Sequence, residues 1–406
     1  MQIPYCQNQC PHASMKKDNA DLFSSSYNCA GRRWHYLLLA VFALTALKSA
    51  LAESVETGTT QQLRYAKNFS ITHFQDHRVI TVQSGNSITN QSHKYALVPK
   101  GKTLPELPEN CLIVRTPVEQ IVVLETIYIG FLEKLQRLDS IIGAGTTDYI
   151  SNQTILQSIE RGFIQKVKTA QTLDIERLLL LGPELIFTSV PSDPTFNIPA
   201  QLNRANLPVA ITAEYREHHP LARAEWIKFI AAFFDASDEA DEVFDAVASH
   251  YETLLKKVHT LENQPTVFCG APYSGVWHIV KGESYMAQLI KDAGGYYLWC
   301  DVTGTETIPL DIERVFAKAA NAGIWLNPSF HKSRQALLAA NSRFSKFKAA
   351  QTGHIYNHTR QQTTLAGNPF WETGIIQPDQ ILADLIKILH PNQIPDREFV
   401  YYEQLK

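Results

Sequence analysis

The sequence predicts an α/β protein with two Rossmann-like lobes, each a parallel sheet with flanking helices, joined by one long helix and separated by a cleft. Three observations support this fold. The residues Leu-Asp-Ile-Glu-Arg occur twice, at 173–177 and 310–314. Each copy opens a short apolar helix pattern that a buried-strand pattern follows, which indicates two similar lobes. Between them lies a helix pattern with apolar residues at three-and-four spacing, typical of one long amphipathic helix.

The helix starts of the two repeat copies have a simple physical basis. Asp174 and Asp311 are favourable N-caps, because a carboxylate there accepts hydrogen bonds from the first-turn amides. This places Glu176 and Glu313 in the first turn, where negative charge suits the helix dipole. Two interpretations stay open. The glutamates only stabilise their helices, or they present one exposed carboxylate on each lobe for a partner.

Composition indicates an ordinary globular protein. The chain has 406 residues, 45% of them hydrophobic, and a formal net charge of -3. These values fit one large or two medium domains. The balance of charges gives no reason to expect a nucleic-acid partner.

The amino-terminal region predicts export. Two arginines, Arg32 and Arg33, precede an apolar run over residues 36–47, and Ala50-Leu51-Ala52 follows. A basic flank, a short apolar core and an Ala-x-Ala ending are typical of a secretory signal peptide cleaved after Ala52. An uncleaved anchor is the alternative, but the run is short for a bilayer. No cysteine near the cleavage point accepts lipid, so we expect a soluble periplasmic monomer.

The leader is longer than a signal peptide needs, which leaves the start codon open, with Met15 or a later non-Met start as alternatives. The paired arginines leave the twin-arginine route open beside the general secretory route.

Alternating strand and helix patterns give the domain boundaries, because such alternation is typical of βαβ units. Two short strands are expected at 64–74 and 78–83, and a helix of about 25 residues and roughly 37 Å, capped by Ser237, is expected to bridge the lobes. We predict a leader at 1–52, an N-terminal extension with a peripheral hairpin and linker at 53–110, an N-terminal lobe at 111–219, connecting helices at 220–263 and a C-terminal lobe at 264–406.

No catalytic motif is present. The sequence lacks Gly-x-Gly-x-x-Gly, a Walker A loop, Gly-x-Ser-x-Gly and His-Glu-x-x-His. Gly143-Ala144-Gly145 resembles half a dinucleotide fingerprint, but a tight turn explains it better. The histidines are scattered, and surface or capping roles are their default. We therefore predict no catalytic residue, no metal site and no cofactor.

After cleavage three cysteines remain, Cys111, Cys269 and Cys300. An odd number at wide spacing is neither a disulfide framework nor a metal site. The sequence leaves open whether two of them form a bridge.

Loops at the carboxyl ends of the predicted strands are rich in aromatic and hydroxyl side chains. In open α/β sheets these loops bind ligands, and aromatic walls suit a large, flat or apolar chelate. For Trp277 and Phe370 an ordinary core position is an equal alternative. Arg360 is a candidate for meeting an acidic ligand group. The predicted ligand-binding residues are Tyr149, Tyr273, Trp277, Trp371 and Arg360.

Together these features resemble the class III periplasmic binding proteins of ABC importers for iron–siderophore complexes, haem and cobalamin. The resemblance covers about residues 114–389. It rests on the order of Thr-Leu-Asp-Ile-Glu-Arg-Leu at 172–178 with Gly-Pro-Glu-Leu-Ile-Phe at 182–187, Lys-Gly-Glu-Ser-Tyr at 281–285 with Ala-Gly-Gly-Tyr at 293–296, and Asn-Pro-Phe-Trp-Glu at 368–372 with Pro378-Asp379.

The resemblance implies a bilobal carrier that closes only slightly, because a helix joins its lobes. It implies that one glutamate per lobe docks on an arginine pocket of the ABC permease dimer, at positions that match Glu176 and Glu313. The expected cargo is a metal chelate, first a ferric siderophore, with haem or cobalamin as alternatives, and no enzymatic activity is expected. The 53–110 extension and the long leader depart from the family pattern.

Two other function classes make distinct predictions. An exported chelatase-like tetrapyrrole enzyme would bring histidines into the cleft, with His218, His331, His354 and His358 as candidates. A carrier of bare zinc or manganese would need three or four His, Asp or Glu side chains meeting there.

Overall fold

The computed structural model describes residues 58–84, 92–169, 172–190 and 198–406, so the predicted signal peptide lies outside the described residues. The described strands form three five-stranded sheets and one two-stranded sheet. None of the described helices has the length and apolar character needed to cross a membrane.

The described strands have the following bounds, in chain order: β1 Thr59–Thr60, β2 Phe69–His73, β3 Arg78–Gln83, β4 Ser92–Pro99, β5 Cys111–Thr116, β6 Ile121–Val123, β7 Ile141–Ala144, β8 Gln165–Lys166, β9 Leu185–Ser189, β10 Val209–Thr212, β11 Thr266–Cys269, β12 Trp277–Val280, β13 Tyr296–Tyr297, β14 Thr307–Leu310, β15 Ile324–Leu326, β16 Ile355–Asn357 and β17 Glu403–Gln404.

The described α-helices are α1 Ile127–Lys134, α2 Gln153–Glu160, α3 Ile175–Leu181, α4 Ile198–Arg204, α5 Pro220–Glu225, α6 Ile227–Ala232, α7 Ser237–Val258, α8 Tyr285–Asp292, α9 Ile312–Ala319, α10 Arg334–Ala340, α11 Lys348–Thr352, α12 Pro369–Glu372 and α13 Pro378–Leu389.

Two separate sheets form the lobes. The N-terminal sheet has the order β10-β9-β6-β7-β8 and is parallel throughout. The C-terminal sheet has the order β13-β11-β15-β16-β17, and only β17 at its edge is antiparallel. Helices flank both sheets, which confirms the predicted two-lobed α/β fold.

The repeat forms the same unit in each lobe. The Asp174 carboxylate accepts a hydrogen bond from the Arg177 amide at 2.9 Å, and the Asp311 carboxylate accepts one from the Arg314 amide at 2.7 Å. Both caps satisfy a first-turn amide. Helix α3 leads into β9 and helix α9 leads into β15, as the sequence predicts.

Helix α7 connects the lobes. Its 22 residues span about 33 Å at the usual rise. Near its start Glu239 pairs with Arg137 of the N-terminal lobe at 3.6 Å, and near its end the Tyr251 hydroxyl donates to Asp292 of α8 at 2.6 Å. The bridging role is confirmed. Ser237 is not the N-cap, however, because Ala236 occupies that position and Ser237 already lies in the first turn.

The N-terminal extension is part of the core, contrary to the predicted peripheral hairpin. Strands β1 to β5 form one sheet in which only the β4–β5 pair is parallel. Thus Cys111–Thr116, predicted to begin the N-terminal lobe, pairs with β4 instead. The buried ring of Phe69 packs against Trp226, with ring centroids 4.6 Å apart. The sheet shares its core with the connecting helices.

Two buried carboxylates, Glu225 in α5 and Glu217 just before that helix, fix this extension to the rest of the chain. Glu225 accepts hydrogen bonds from the amides of Arg64, Tyr65 and Ala66 at 2.8–2.9 Å. Glu217 accepts hydrogen bonds from the amides of Lys67 and Asn68, at 3.0 and 2.9 Å. Five consecutive backbone amides are therefore satisfied by two side chains from elsewhere in the chain.

The two lobes also touch directly. The buried carboxylate of Glu372 in α12 accepts hydrogen bonds from the Ser151 amide and hydroxyl at 2.9 and 2.8 Å. A Cβ atom at Gly130 of α1 would overlap the Glu372 carbonyl oxygen, and one at Gly367 would overlap the Ile150 carbonyl oxygen. Glycine at these two positions permits a close backbone approach. These contacts bring the two lobes together at this point.

Candidate ligand-binding site

A cavity of about 510 Å³ lies where strands β6, β9 and β10 end, which we call the cleft cavity. Its far side belongs to the C-terminal lobe, so it lies between the lobes. Carboxyl ends of parallel strands are the expected ligand site of such sheets, and the volume falls within the usual range for small-molecule pockets. Its lining residues are Glu125, Thr126, Ile127, Thr188, Ser189, Val190, Ile198, Pro199, Glu214, Tyr215, Arg223, Trp371 and Ile375.

One side of the cleft cavity is apolar and aromatic. The indole of Trp371 is 48% exposed. It packs edge-on against Phe370 and His358, with ring centroids 4.7 and 5.5 Å apart. The ring is therefore held in place while much of its surface stays available, which suits contact with a large apolar ligand.

Two carboxyl groups lie at the opposite side, and we call Glu125 and Glu214 the acidic pair. Glu125 accepts hydrogen bonds from the Thr188 hydroxyl at 3.1 Å and from the Ser189 amide at 3.3 Å. Glu214 accepts bonds from the Ser189 hydroxyl at 3.4 Å and from the Thr212 hydroxyl. Ser189 thus contacts both members of the pair.

Burial dominates the acid–base chemistry of the acidic pair. It raises the pKa of Glu125 to about 8, and the charge of Glu214 acts in the same direction. Burial also raises the pKa of Glu214, partly opposed by its hydroxyl donors. Carboxyl groups out of water resist ionisation, so near neutral pH Glu125 is mostly protonated in the cavity without ligand.

Arg223 supplies the cationic group among the lining residues. Its Nη2 donates to the Tyr215 carbonyl at 2.6 Å and its Nε donates to the Glu217 carbonyl at 3.2 Å. The guanidinium carbon lies 4.4 Å from the ring centroid of Tyr285, a cation–π distance. These three contacts, with two backbone carbonyls and the Tyr285 ring, hold the Arg223 side chain in place.

Of the five predicted ligand-binding residues, Trp371 lines the cleft cavity. Trp277 is fully buried, and its Nε1 donates to the Cys269 carbonyl at 2.9 Å. It packs on Phe268, Trp325 and two further rings in the C-terminal core. Its prediction as a cleft wall is wrong, because this indole is the centre of an aromatic core cluster.

The other three predicted residues are exposed but do not line the cleft cavity. Tyr149 ends a short turn after β7, and Tyr273 lies at the tip of a turn closed by Val276. Arg360 lies after β16, where its amide donates to the Tyr401 carbonyl at 3.4 Å. The structure does not bring these side chains together with Trp371 in this cavity.

Sequence reasoning missed the acidic pair and Arg223. A signal for the first two existed, because Glu125 and Glu214 each follow a predicted buried strand within three residues. Such positions lie at the carboxyl edge of a parallel sheet. Arg223 lies inside a helix pattern and carried no signal of its own.

The two predicted docking glutamates are both exposed. Glu313 forms an ion pair with Arg343, whereas one turn after Glu176 the side chain of Leu180 is 89% exposed. The lobes therefore present different surroundings for the same repeat position. A role of these carboxylates in docking stays a prediction.

The four histidines required by the chelatase alternative do not line the cleft cavity. His358 stacks on Phe370 at 4.4 Å, and burial lowers its pKa to about 4, which keeps it neutral near pH 7. Across the described ranges, no group of three or more His, Cys, Asp or Glu side chains could hold a metal ion. The described cysteines Cys111, Cys269 and Cys300 are free.

Comparison with known proteins decides the family. The family described as periplasmic binding protein matches residues 121–361, more than half of the chain. The chain belongs to the periplasmic binding protein family. This confirms the resemblance to the class III substrate-binding proteins of ABC importers.

Individual relatives of this periplasmic binding protein are distant. An uncharacterized lipoprotein of Methanocaldococcus jannaschii is 24% identical over 368 residues, which cover 86% of each chain. An ABC transporter substrate-binding protein of Listeria monocytogenes has a TM-score of 0.52 at 16% identity, covering 68% of this chain and 100% of that one. A periplasmic heme binding protein of Pseudomonas aeruginosa has a TM-score of 0.54 at 14% identity, covering 71% and 98%. These two structures share its fold.

Proposed function

We propose that this periplasmic binding protein captures a metal chelate, first a ferric siderophore, in the cleft cavity and delivers it to an ABC permease dimer. The observation that carries the proposal is the cavity itself, which lies between two lobes and has an exposed, well-packed indole on one side. Haem and cobalamin are the alternative cargoes. The solved structures of this fold include a periplasmic heme binding protein and a possible iron-binding protein.

In this proposal the signal peptide directs export of the protein, which then binds its ligand as a soluble monomer outside the cytoplasm. The relative from Methanocaldococcus jannaschii is named a lipoprotein, so a membrane-anchored form is the alternative. Detergent-free extraction of the outer compartment should release the protein if it is soluble, and leave it with the membrane if it is anchored.

Tryptophan fluorescence tests the proposed cargo. Ferric chelates, haemin and cobalamin absorb light and quench a nearby indole, and Trp371 lines the cleft cavity. Titration with a panel of ferric siderophores, haemin and cobalamin should give saturable quenching by one class at micromolar or lower concentration. Because the signal arises at Trp371, Trp371→Phe should remove most of it, whereas Trp299→Phe, which changes a buried indole outside the cavity, should keep it. Absence of saturable quenching by every member of the panel would contradict the proposal.

A further inference from the structure

We infer that the cleft cavity selects metal chelates that carry a protonated amine, held by the acidic pair, over chelates that carry free carboxylates. The inference rests on the proposed function and specifies the chemical class of its cargo. It follows from the directions of the hydrogen bonds around the acidic pair and from the charges that surround it.

The acidic pair offers unused acceptor positions to the cavity. The hydrogen bonds that Glu125 and Glu214 receive from Thr188, Ser189 and Thr212 are donated by protein hydroxyls and an amide. A carboxylate has about four acceptor positions, so each glutamate retains some after these contacts. Both residues line the cavity. A ligand group that donates several hydrogen bonds fits this side, and an ammonium donates three.

Two cationic side chains of the described residues act on the acidic pair. Lys168, after β8, lowers the pKa of Glu125 by its charge, and Arg223 of α5 lowers that of Glu214. The neutral hydroxyl of Tyr128 in α1 contacts Thr212 at 2.8 Å and Ser189 at 3.2 Å. Lys168 is not among the described lining residues, whose charged groups are two carboxyls and one guanidinium.

At a pH above the pKa of Glu125, which burial raises to about 8, a ligand carboxylate on this side would meet two ionised carboxylates, which accept hydrogen bonds and repel it. The guanidinium of Arg223 donates two of its five N–H groups to backbone carbonyls, and its charge is offset by the nearby carboxyl groups of Glu214 and Glu217. Burying an anion beside carboxyl groups is costly, and such repulsion is a common source of specificity. Haem propionates and citrate-type siderophores are therefore disfavoured here, while a cationic group gains a charge-assisted contact.

A matched pair of probes isolates the amine. Ferrioxamine B is a neutral ferric trihydroxamate centre with a free terminal ammonium, and its N-acetyl derivative lacks only that charge. Quenching titrations should show ferrioxamine B binding about 10–100-fold more tightly at pH 8, the value expected for a charged hydrogen bond in a partly dry site. The preference should grow as pH rises from 6 to 9, because ionised Glu125, whose pKa burial raises to about 8, attracts the ammonium.

Variants connect the preference to the acidic pair. Glu125→Gln combined with Glu214→Gln should reduce the ratio of the two dissociation constants to within threefold of one at every pH. Urea unfolding of the variant verifies that it folds. Glu262→Gln, which changes an exposed glutamate after α7, should keep the wild-type ratio.

The outcomes separate this inference from the proposed function. Equal affinity for the two ferrioxamines, or tighter binding of haemin or ferric citrate, would overturn the amine preference while the chelate carrier survives. A preference that persists in the double variant would also overturn it. Failure of every chelate to quench Trp371 would overturn both.

Discussion

Replacing Glu225 by alanine is expected to lower the free energy of unfolding by about 3–5 kcal/mol, because it removes a buried, paired charge. The Glu225 side chain is fully buried and accepts hydrogen bonds from the backbone amides of Arg64, Tyr65 and Ala66. The Lys228 ammonium lies 3.7 Å from its carboxylate. Without the carboxylate, three amides lose their partner at once, and each unsatisfied group costs about 1–3 kcal/mol. The Lys228 ammonium keeps its ion pair with Asp241 at 2.8 Å. Urea unfolding followed by circular dichroism measures the loss.

An exposed ion pair at the same segment provides the control. Asp245 pairs with the Arg64 side chain at 3.0 Å, and both side chains are largely in water. Asp245→Asn should therefore cost less than about 1 kcal/mol. If Glu225→Ala costs no more than this control, the extension does not depend on the buried carboxylate for its attachment.

Substrate uptake is expected to fall at least tenfold when Glu176→Ala and Glu313→Ala are combined, while affinity for the free ligand stays unchanged. The reason is the proposed docking of one carboxylate per lobe on the permease, since charge pairs at an interface set orientation and association rate. Both glutamates are exposed, and neither lines the cleft cavity. Uptake in cells with the cognate permease, and quenching titration of the purified variant, give the two readouts.

The single variants should differ. Glu313 already pairs with Arg343, whereas no ion pair to Glu176 is seen within the described residues. Glu313→Ala should therefore have the smaller effect, and wild-type docking should weaken as salt rises because such charges are screened. Glu262→Ala serves as the surface control. Uptake that survives in the double variant would refute the docking role.

The lobes were predictable because local physics and global fold agree there. The Asp174 and Asp311 caps, the apolar faces of α3 and α9, and the strands that follow all specify the same unit. The structure of a segment can be predicted from sequence when its capping residues, apolar periodicity and strand patterns agree. The long helix α7 was readable for the same reason.

The extension could not be placed from sequence alone. Its strands carry ordinary alternation, but its anchoring depends on Glu217 and Glu225, about 150–160 residues further along the chain. Glu225 lies in a helix pattern and Glu217 lies just before it, and both look like surface charges there, since charged side chains are rarely buried unless paired. Only the tertiary structure reveals their backbone partners.

The candidate site shows the same limit. Trp277 and Trp371 are both predicted as cleft walls, yet one is the centre of a core cluster and the other faces the cavity. The difference depends on which rings pack around each indole. The acidic pair was not predicted because the aromatic loops carry the more conspicuous pattern, although both glutamates lie two residues after a strand end.

A crystal structure of the protein with a saturating ferric trihydroxamate, phased for iron by anomalous scattering, tests the central claim most directly. The account predicts one strong iron peak inside the cavity, between the indole of Trp371 and the carboxyl groups of Glu125 and Glu214. An iron peak at another surface, or an empty cavity in crystals grown at a chelate concentration that saturates quenching, would contradict it.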